Sequence, residues 1–179
     1  MIAVYIILGL LLIIAIWYIS TSNRINRCLV KIDEASSGID VSLTKRYDVL
    51  TKMIETVKGY AKHEKETLFE VVNLRKDMTF VEKQKASTVM DKNLHQIHVL
   101  AEQYPELKAS ENFNTLQKAI VEVEEHLQAA RRMYNSNVSI LNQMLVTFPD
   151  KIVANMKHIE KKQFFEADEV KKEDVKIEF

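Results

Sequence analysis

Apolar residues recur at alternating steps of three and four along most of this chain, which is the spacing of one face of an α-helix. The first stripe begins just after an apolar N-terminal run and predicts one continuous helix of about 55 Å. Its members are Ile25, Leu29, Ile32, Ser36, Ile39, Leu43, Tyr47, Leu50, Ile54, Val57 and Ala61.

Two further stripes follow along the chain. The second predicts a helix over about residues 81–103 that ends at Pro105, because a proline disfavours helical geometry in the preceding residue. The third predicts a long helix that is stopped by Pro149. The second stripe comprises Met90, Leu94, Ile97, Ala101 and Tyr104, and the third comprises Phe113, Leu116, Ile120, Val123, Leu127, Ala130, Tyr134, Val138, Leu141, Leu145 and Phe148.

The stripes predict an all-α protein in which three long amphipathic helices with near-heptad spacing pack as an elongated antiparallel bundle. A shorter helical segment over residues 64–76 is expected to fill a fourth position. The residues after Phe165 are rich in Glu and Lys and are expected to be disordered. We therefore predict an anchor at 1–20, a helical-bundle domain at 21–165 and a charged flexible tail at 166–179.

The N-terminal run, "IAVYIILGLLLIIAIWYI" at residues 2–19, is uncharged and long enough to cross a bilayer core of about 30 Å as a helix. A cleaved signal peptide is the alternative. It is disfavoured because no basic region precedes the run, the run is too long, and no A-x-A site follows. Trp17 and Tyr18 at one end, and Tyr5 near the other, are expected to anchor the helix at the two interfaces.

The flanking charges predict the orientation of this span. Arg24, Arg27 and Lys31 follow the run, whereas only Met1 precedes it. Since Lys and Arg are retained on the cytoplasmic side, the N-terminus is expected outside the cell and the helical domain in the cytoplasm.

Composition excludes some classes of function. Lys and Arg number 25 against 25 Asp and Glu, so the protein has no net field to attract nucleic acid, and no nucleic-acid partner is predicted. The single cysteine, Cys28, rules out an intrachain disulfide framework. We interpret it as a small buried side chain, ahead of a lipidated or intermolecular thiol.

Three separated motifs resemble the LemA family of bacterial membrane-anchored helical proteins. They are "IDVSLTKRYDVLTKMIETVKGYAKHE" (39–64), "LAEQYPELKASENFNTLQ" (100–117) and "EEHLQAARRMYNSNVSILNQMLVTFP" (124–149), in the family's order. The resemblance covers most of residues 26–165. It implies an N-terminal anchor and a helical bundle on the cytoplasmic side or in the envelope. The family has no agreed enzymatic activity, so the resemblance implies no catalytic residues.

The chain departs from the family pattern at two places. Ile25-Asn26 stands where the family usually has Tyr-Asn, and Thr51 stands where it usually has a proline. The second departure predicts a straighter first helix.

Two histidine patterns are candidate metal sites. His63-Glu64 is not an H-E-x-x-H zinc motif, because Thr67 occupies the position of the second histidine, and the pair is interpreted as a polar helix end after Gly59. Asp91, His95, His98 and Glu102 share one helical face at steps of four, three and four. A second helix would have to add ligands, and "VEEH" (123–126) is not the Glu-x-x-His of di-iron bundles. A solvated polar face is favoured, and metal binding is kept as the alternative.

No phosphate-binding loop or nucleophile elbow occurs in the sequence. Arg131-Arg132 beside Tyr134-Asn135 is the remaining polar cluster, for which structural pairing is favoured over a binding patch. We predict a non-enzymatic interaction or scaffold protein without a cofactor. A metal-dependent enzyme using the Asp91 to Glu102 face is the alternative. The expected partners are the bilayer, through residues 2–19, and proteins that the sequence does not identify. A homo-oligomer is compatible with this prediction.

Overall fold

All regular elements in the described part of the chain are helices. The computed structural model describes residues 1–60, 69, 70, 72, 74 and 78–165, and no strand occurs among them. This confirms the all-α prediction. The helices are α1 (Ile2–Tyr60), α2 (Phe80–Gln103), α3 (Pro105–Ala109), α4 (Glu111–Met144) and α5 (Asp150–Met156).

The first helix is longer than its stripe predicted, because it includes the N-terminal apolar run. α1 has 59 residues, which corresponds to about 90 Å of helix. The run at 2–19 and the stripe that starts at Ile25 therefore belong to one uninterrupted element, with Thr51 inside it. α2 begins one residue before the predicted start and ends at Gln103 as predicted.

The N-terminus of α2 is fixed by a capping box. The Thr79 hydroxyl accepts a hydrogen bond from the Glu82 N–H at 3.3 Å, and the Glu82 carboxylate accepts one from the Thr79 N–H at 2.7 Å. This arrangement satisfies two backbone donors that a helix start otherwise leaves unpaired. The T-x-x-E pattern thus sets where the second helix starts.

Both prolines lie at helix starts, but only Pro105 acts as the predicted helix stop, because α4 already ends at Met144, five residues before Pro149. Pro105 was predicted to end a helix, and it also opens α3, where its fixed φ suits the first helical turn. Pro149 precedes α5, a second short helix that the stripes did not predict. The third stripe was predicted to run to Phe148, but α4 ends at Met144 and Phe148 is 83% exposed, so its last member is not part of the core.

The described chain divides into two compact units. The first unit comprises Met1–Ser37 and Arg131–Phe164, and the second comprises Gly38–Ala130 with Phe165. α1 and α4 each contribute to both units. The core of the first unit contains Ile25, Cys28, Ile32, Ala35, Tyr134, Val138, Leu141, Leu145, Val153 and Ala154, all of which are buried.

The second unit has its own apolar cluster, drawn from α1, α2, α3 and α4. Phe113 and Leu107 are fully buried members of this cluster. In the same unit, the rings of Phe80 and Phe165 pack edge to face with their centroids 5.3 Å apart. The cluster contains Leu50, Met53, Val57, Val72, Ala86, Met90, Ile97, Leu100, Ala101, Leu107, Phe113 and Ile120.

Two sequence predictions fall largely outside the described residues. The predicted helical segment at 64–76 is described only at Phe69, Glu70, Val72 and Leu74, and the prediction is wrong at these four residues, because none of them is helical. The predicted tail at 166–179 is not described. The boundaries of the anchor, bundle and tail remain predictions.

Leu127 tests the assignment of the third stripe to the core. Its side chain is fully buried on α4, so Leu127→Asp places an unpaired charge in an apolar site and is expected to lower the free energy of unfolding by about 3 kcal/mol or more. The matched control is Val121→Asp on the same helix, where the side chain is 58% exposed and the expected change is small. Thermal and denaturant unfolding followed by circular dichroism measures both. Equal stability of the two variants would contradict the core assignment.

Candidate functional site

The face predicted as an alternative metal site does not gather its four members. Asp91 is partly buried, whereas His95, His98 and Glu102 are exposed on α2. Among the residues that the structure describes, no group of three or more His, Cys, Asp or Glu side chains could hold a metal ion. The geometry therefore gives the metal alternative no support.

Asp91 instead binds a buried arginine that the sequence analysis did not single out. Arg46 of α1 is 1% exposed. Its Nη2 lies 2.5 Å from Asp91 Oδ1, and its Nε lies 2.5 Å from Glu124 Oε1 on α4. Its Nη1 donates to both the carbonyl and the hydroxyl oxygen of Ser87, each at 3.2 Å. One guanidinium thus connects α1, α2 and α4 within the second unit.

This cluster is built by helical spacing. Ser87 and Asp91 lie four residues apart on α2, so both face the same point on α1. Arg46 lies between Leu43 and Leu50 at steps of three and four, which makes it a member of the buried stripe of α1. The predicted stripe passed from Leu43 to Tyr47 instead. A long charged residue at the three-four spacing was the available signal, and its burial follows from the two carboxylates that meet it.

The buried guanidinium of Arg46 depends on its two acidic partners. A buried charge loses its hydration, and only close partners with good geometry offset that loss. The Asp91 and Glu124 side chains are 27% and 29% exposed, so water still reaches the acidic side of the cluster. The two carboxylates of Asp91 and Glu124 pair with the one guanidinium of Arg46, and these ion pairs connect three helices. The role of this cluster is therefore structural.

The Arg131 to Asn135 cluster also serves packing where the structure describes its bonds. Tyr134 is buried on α4, and its hydroxyl donates to the Gln163 carbonyl at 3.2 Å. Burial, together with the nearby Asp33 carboxylate, raises the pKa of Tyr134 above its usual range. Arg132 is exposed. Tyr134 therefore fastens the chain that follows α5 to the first unit.

Two asparagines fasten non-helical chain to helices in the same way. Asn93 of α2 is 1% exposed; its amide donates to the Glu70 carbonyl at 2.9 Å and accepts from the Glu70 N–H at 3.0 Å. Asn142 of α4 makes the same pair of bonds with Lys162, at 2.9 and 3.0 Å. We call these the asparagine clamps. One lies in each unit.

Cys28 lies buried in the first unit, as the sequence predicted. It is 5% exposed, and its thiol donates to the Asn137 carbonyl at 3.4 Å. Burial raises the pKa of the Cys28 thiol, against a smaller opposite effect of Lys31. The thiolate is the reactive form, so this thiol is poorly suited to nucleophilic or redox chemistry. The His63-Glu64 pair, which was considered as a zinc motif, lies outside the described residues.

The N-terminal part of α1 is the remaining functional feature. It is long and apolar enough to cross a membrane, and none of its most apolar stretch is buried within the protein. Isolated exposed apolar side chains are common on soluble proteins, but a continuous run of this length is not. This segment is a candidate membrane anchor.

Substitutions in the cluster around Arg46 distinguish the contribution of its charges to stability from the contribution of its packing. Arg46→Met leaves two carboxylates facing each other and is expected to lower the free energy of unfolding by about 3 kcal/mol, near the low end for buried pairs because both acids are partly exposed. Combining it with Asp91→Asn and Glu124→Gln should recover part of that loss. Lys45→Met, at an exposed neighbouring position, is the control. Urea unfolding measures all three, and an Arg46→Met variant as stable as Lys45→Met would refute the role of the cluster.

Comparisons with known proteins agree with the motifs. A family model described as the LemA family matches residues 35–179. A relative named Protein LemA, from Metamycoplasma hominis, is 30% identical over 163 residues, which covers 88% of this chain and 74% of the relative. The family match includes Arg46 and Glu124, and it spans most of the chain. The chain belongs to the LemA family.

Proposed function

We propose that this LemA-family protein is a membrane-anchored scaffold, which holds protein partners at the cytoplasmic face of the bacterial cell membrane. The observation that carries this proposal is the continuity of α1 from Ile2 to Tyr60. An exposed apolar run would be unfavourable in water, and lipid removes that cost. The same helix also contributes to both packed cores, so the proposed anchor is continuous with a helix of the folded body.

The long helices offer the surface for such partners. On α2, His95, His98 and Glu102 are exposed one turn apart, and Val99 among them is 43% exposed. A polar face with occasional apolar side chains resembles the composition of many non-obligate protein interfaces. The balanced charge favours no single class of charged partner. The partners we propose are other proteins at the membrane, with a second copy of the chain as one of them.

The proposed orientation rests on the charges beside the span. Arg24, Arg27 and Lys31 lie within about three turns of its downstream end. Although Arg24 pairs with Asp150, acidic residues contribute little to topology, so the basic bias still favours a cytoplasmic body. We propose a single-pass protein with its N-terminus outside.

Thiol accessibility tests this topology. Ser136 is exposed on α4, so Ser136→Cys in a Cys28→Ala background provides one reactive thiol on the folded body. In intact cells it is expected to resist a membrane-impermeant maleimide, to react with a permeant one, and to react with both after lysis. The Cys28→Ala protein without the new thiol is the control for background labelling. Reaction of the impermeant reagent before lysis would place the body outside the cell.

Complementation of a strain that lacks the gene tests scaffolding against metal chemistry. His95→Ala and His98→Ala, alone and together, are expected to restore the strain fully, because single contacts on a polar surface contribute little to binding. Removing residues 2–19 is expected to abolish complementation, while replacing that run with an unrelated single-pass anchor of the same orientation should restore it. Proximity labelling of neighbouring proteins should follow the same pattern.

Two outcomes would overturn the proposal. If the histidine variants are folded and membrane-inserted yet fail to complement, a metal site in the Asp91 to Glu102 stretch becomes the favoured function. If the protein without residues 2–19 complements fully, anchoring is not part of its role.

A further inference from the structure

The connection between α4 and α5 exposes an unusual amount of apolar surface. Phe148 is 83% exposed, more than any other large apolar side chain that the structure describes between residues 20 and 165. Val146 is 54% exposed, and Ile152 and Met156 on α5 are 44% and 63% exposed. These four residues, Val146, Phe148, Ile152 and Met156, are called the apolar turn below.

Packing within the protein does not account for the apolar turn. α5 already buries Val153 and Ala154, which are 0% and 1% exposed. Ile152 and Met156 lie four residues apart on another side of the same helix. α5 therefore carries apolar side chains on both its buried and its exposed side, and a second apolar environment would cover Ile152 and Met156.

The register of α1 and α4 places the apolar turn beside the end of the proposed span. In the first unit, Asn137 of α4 contacts α1 twice: its carbonyl accepts from Cys28, and its amide donates to the Lys31 carbonyl at 3.3 Å. Further along the chain, Asp150 pairs with Arg24. Later residues of α4 and α5 thus meet earlier residues of α1, so α4 runs antiparallel to α1 here.

This register can be followed to the end of α4. Met144 lies two helical turns beyond Asn137, about 10 Å along the axis. Two turns back from Cys28 along α1 is Thr21, which is 5% exposed and is the first buried residue of the chain. The end of α4 is therefore level with Thr21, two residues after the apolar run ends at Ile19.

Polar contacts hold α5 at the same level. Lys157, just after α5, donates from Nζ to Ser22 Oγ at 2.8 Å and to Asn26 Oδ1 at 2.7 Å. The Arg24 to Asp150 ion pair fixes the other end of α5. Both ends of this short helix are tied to the first turns of α1 beyond the run.

We propose that the apolar turn is a second membrane contact, which inserts into the boundary between lipid head groups and acyl chains next to the span. Aromatic and aliphatic side chains flanked by lysine are typical of segments that lie in this boundary. Lys151 is exposed on α5 and can face the head groups. The proposal rests on the proposed anchorage of residues 2–19 and goes beyond the holding of partners. A span alone leaves the first unit free to rotate and tilt, whereas a second contact restricts both.

The chain has one tryptophan, which makes the proposal testable by fluorescence in the full-length protein. Wild-type Trp17 reports on the span itself. In a Trp17→Phe background, Phe148→Trp reports on the apolar turn. Met133→Trp is the matched control, since Met133 is an apolar residue of α4 in the same unit, 62% exposed, and about three turns further from the membrane than Met144. Each protein is reconstituted in phosphatidylcholine vesicles with and without lipid brominated near the head-group end of an acyl chain.

Brominated lipid is expected to quench Trp17 and the Phe148→Trp protein several-fold more than the Met133→Trp protein, and the emission of Phe148→Trp should be blue-shifted. Quenching of Trp17 without quenching of Phe148→Trp would overturn the second contact while leaving the anchor intact. A blue shift of Phe148→Trp without quenching would also overturn it, because the turn would then be covered by protein, such as a second copy. Absence of quenching at Trp17 would overturn the anchor, and with it this inference.

Discussion

The burial of one guanidinium constrains the second unit more than any other single contact described. Arg46 lies among apolar neighbours on α1, where a charge without partners would be strongly unfavourable. Its partners come from two different helices, Asp91 and Ser87 from α2 and Glu124 from α4. Apolar stripes tolerate some sliding of one helix along another, because one leucine can substitute for the next. An ion cluster does not, since a shift of one turn leaves every charged group without its partner.

The same cluster holds Asp91, one of the four residues of the alternative metal site, in an ion pair with Arg46. Asp91, His95, His98 and Glu102 share one helical periodicity, and periodicity alone does not distinguish residues that face a neighbouring helix from those that face solvent. Asp91 lies at the edge of the packed face, where Arg46 reaches it, while the two histidines and Glu102 point to the exposed side of α2. A small difference in angle around the α2 axis therefore separates the packed environment of Asp91 from the solvent-exposed environment of the other three residues.

The long helices could be predicted from the sequence because each requires only a local pattern. The stripes identified α1, α2 and α4, and the end of α2 followed from Pro105. The short helices α3 and α5 are too brief to show a periodicity, so they were missed. The role of Arg46 was missed because arginine is usually exposed, and its burial depends on two partners more than forty residues away in the chain. The division into two cores was also not predicted, since the stripes of α1 and α4 run through both without a break.

The asparagine clamps have a consequence for how this protein can change over time. A carboxamide presents one donor and one acceptor in nearly the arrangement of a peptide group, so Asn93 and Asn142 recognise main chain and not residue type. Positions 70 and 162 can therefore exchange Glu and Lys for most other residues and keep both bonds, and only proline would remove the donor. The converse holds for the clamps themselves: aspartate has nearly the same shape as asparagine but lacks the amide donor. Variation is thus tolerated in the connecting chain and restricted on the helices that hold it.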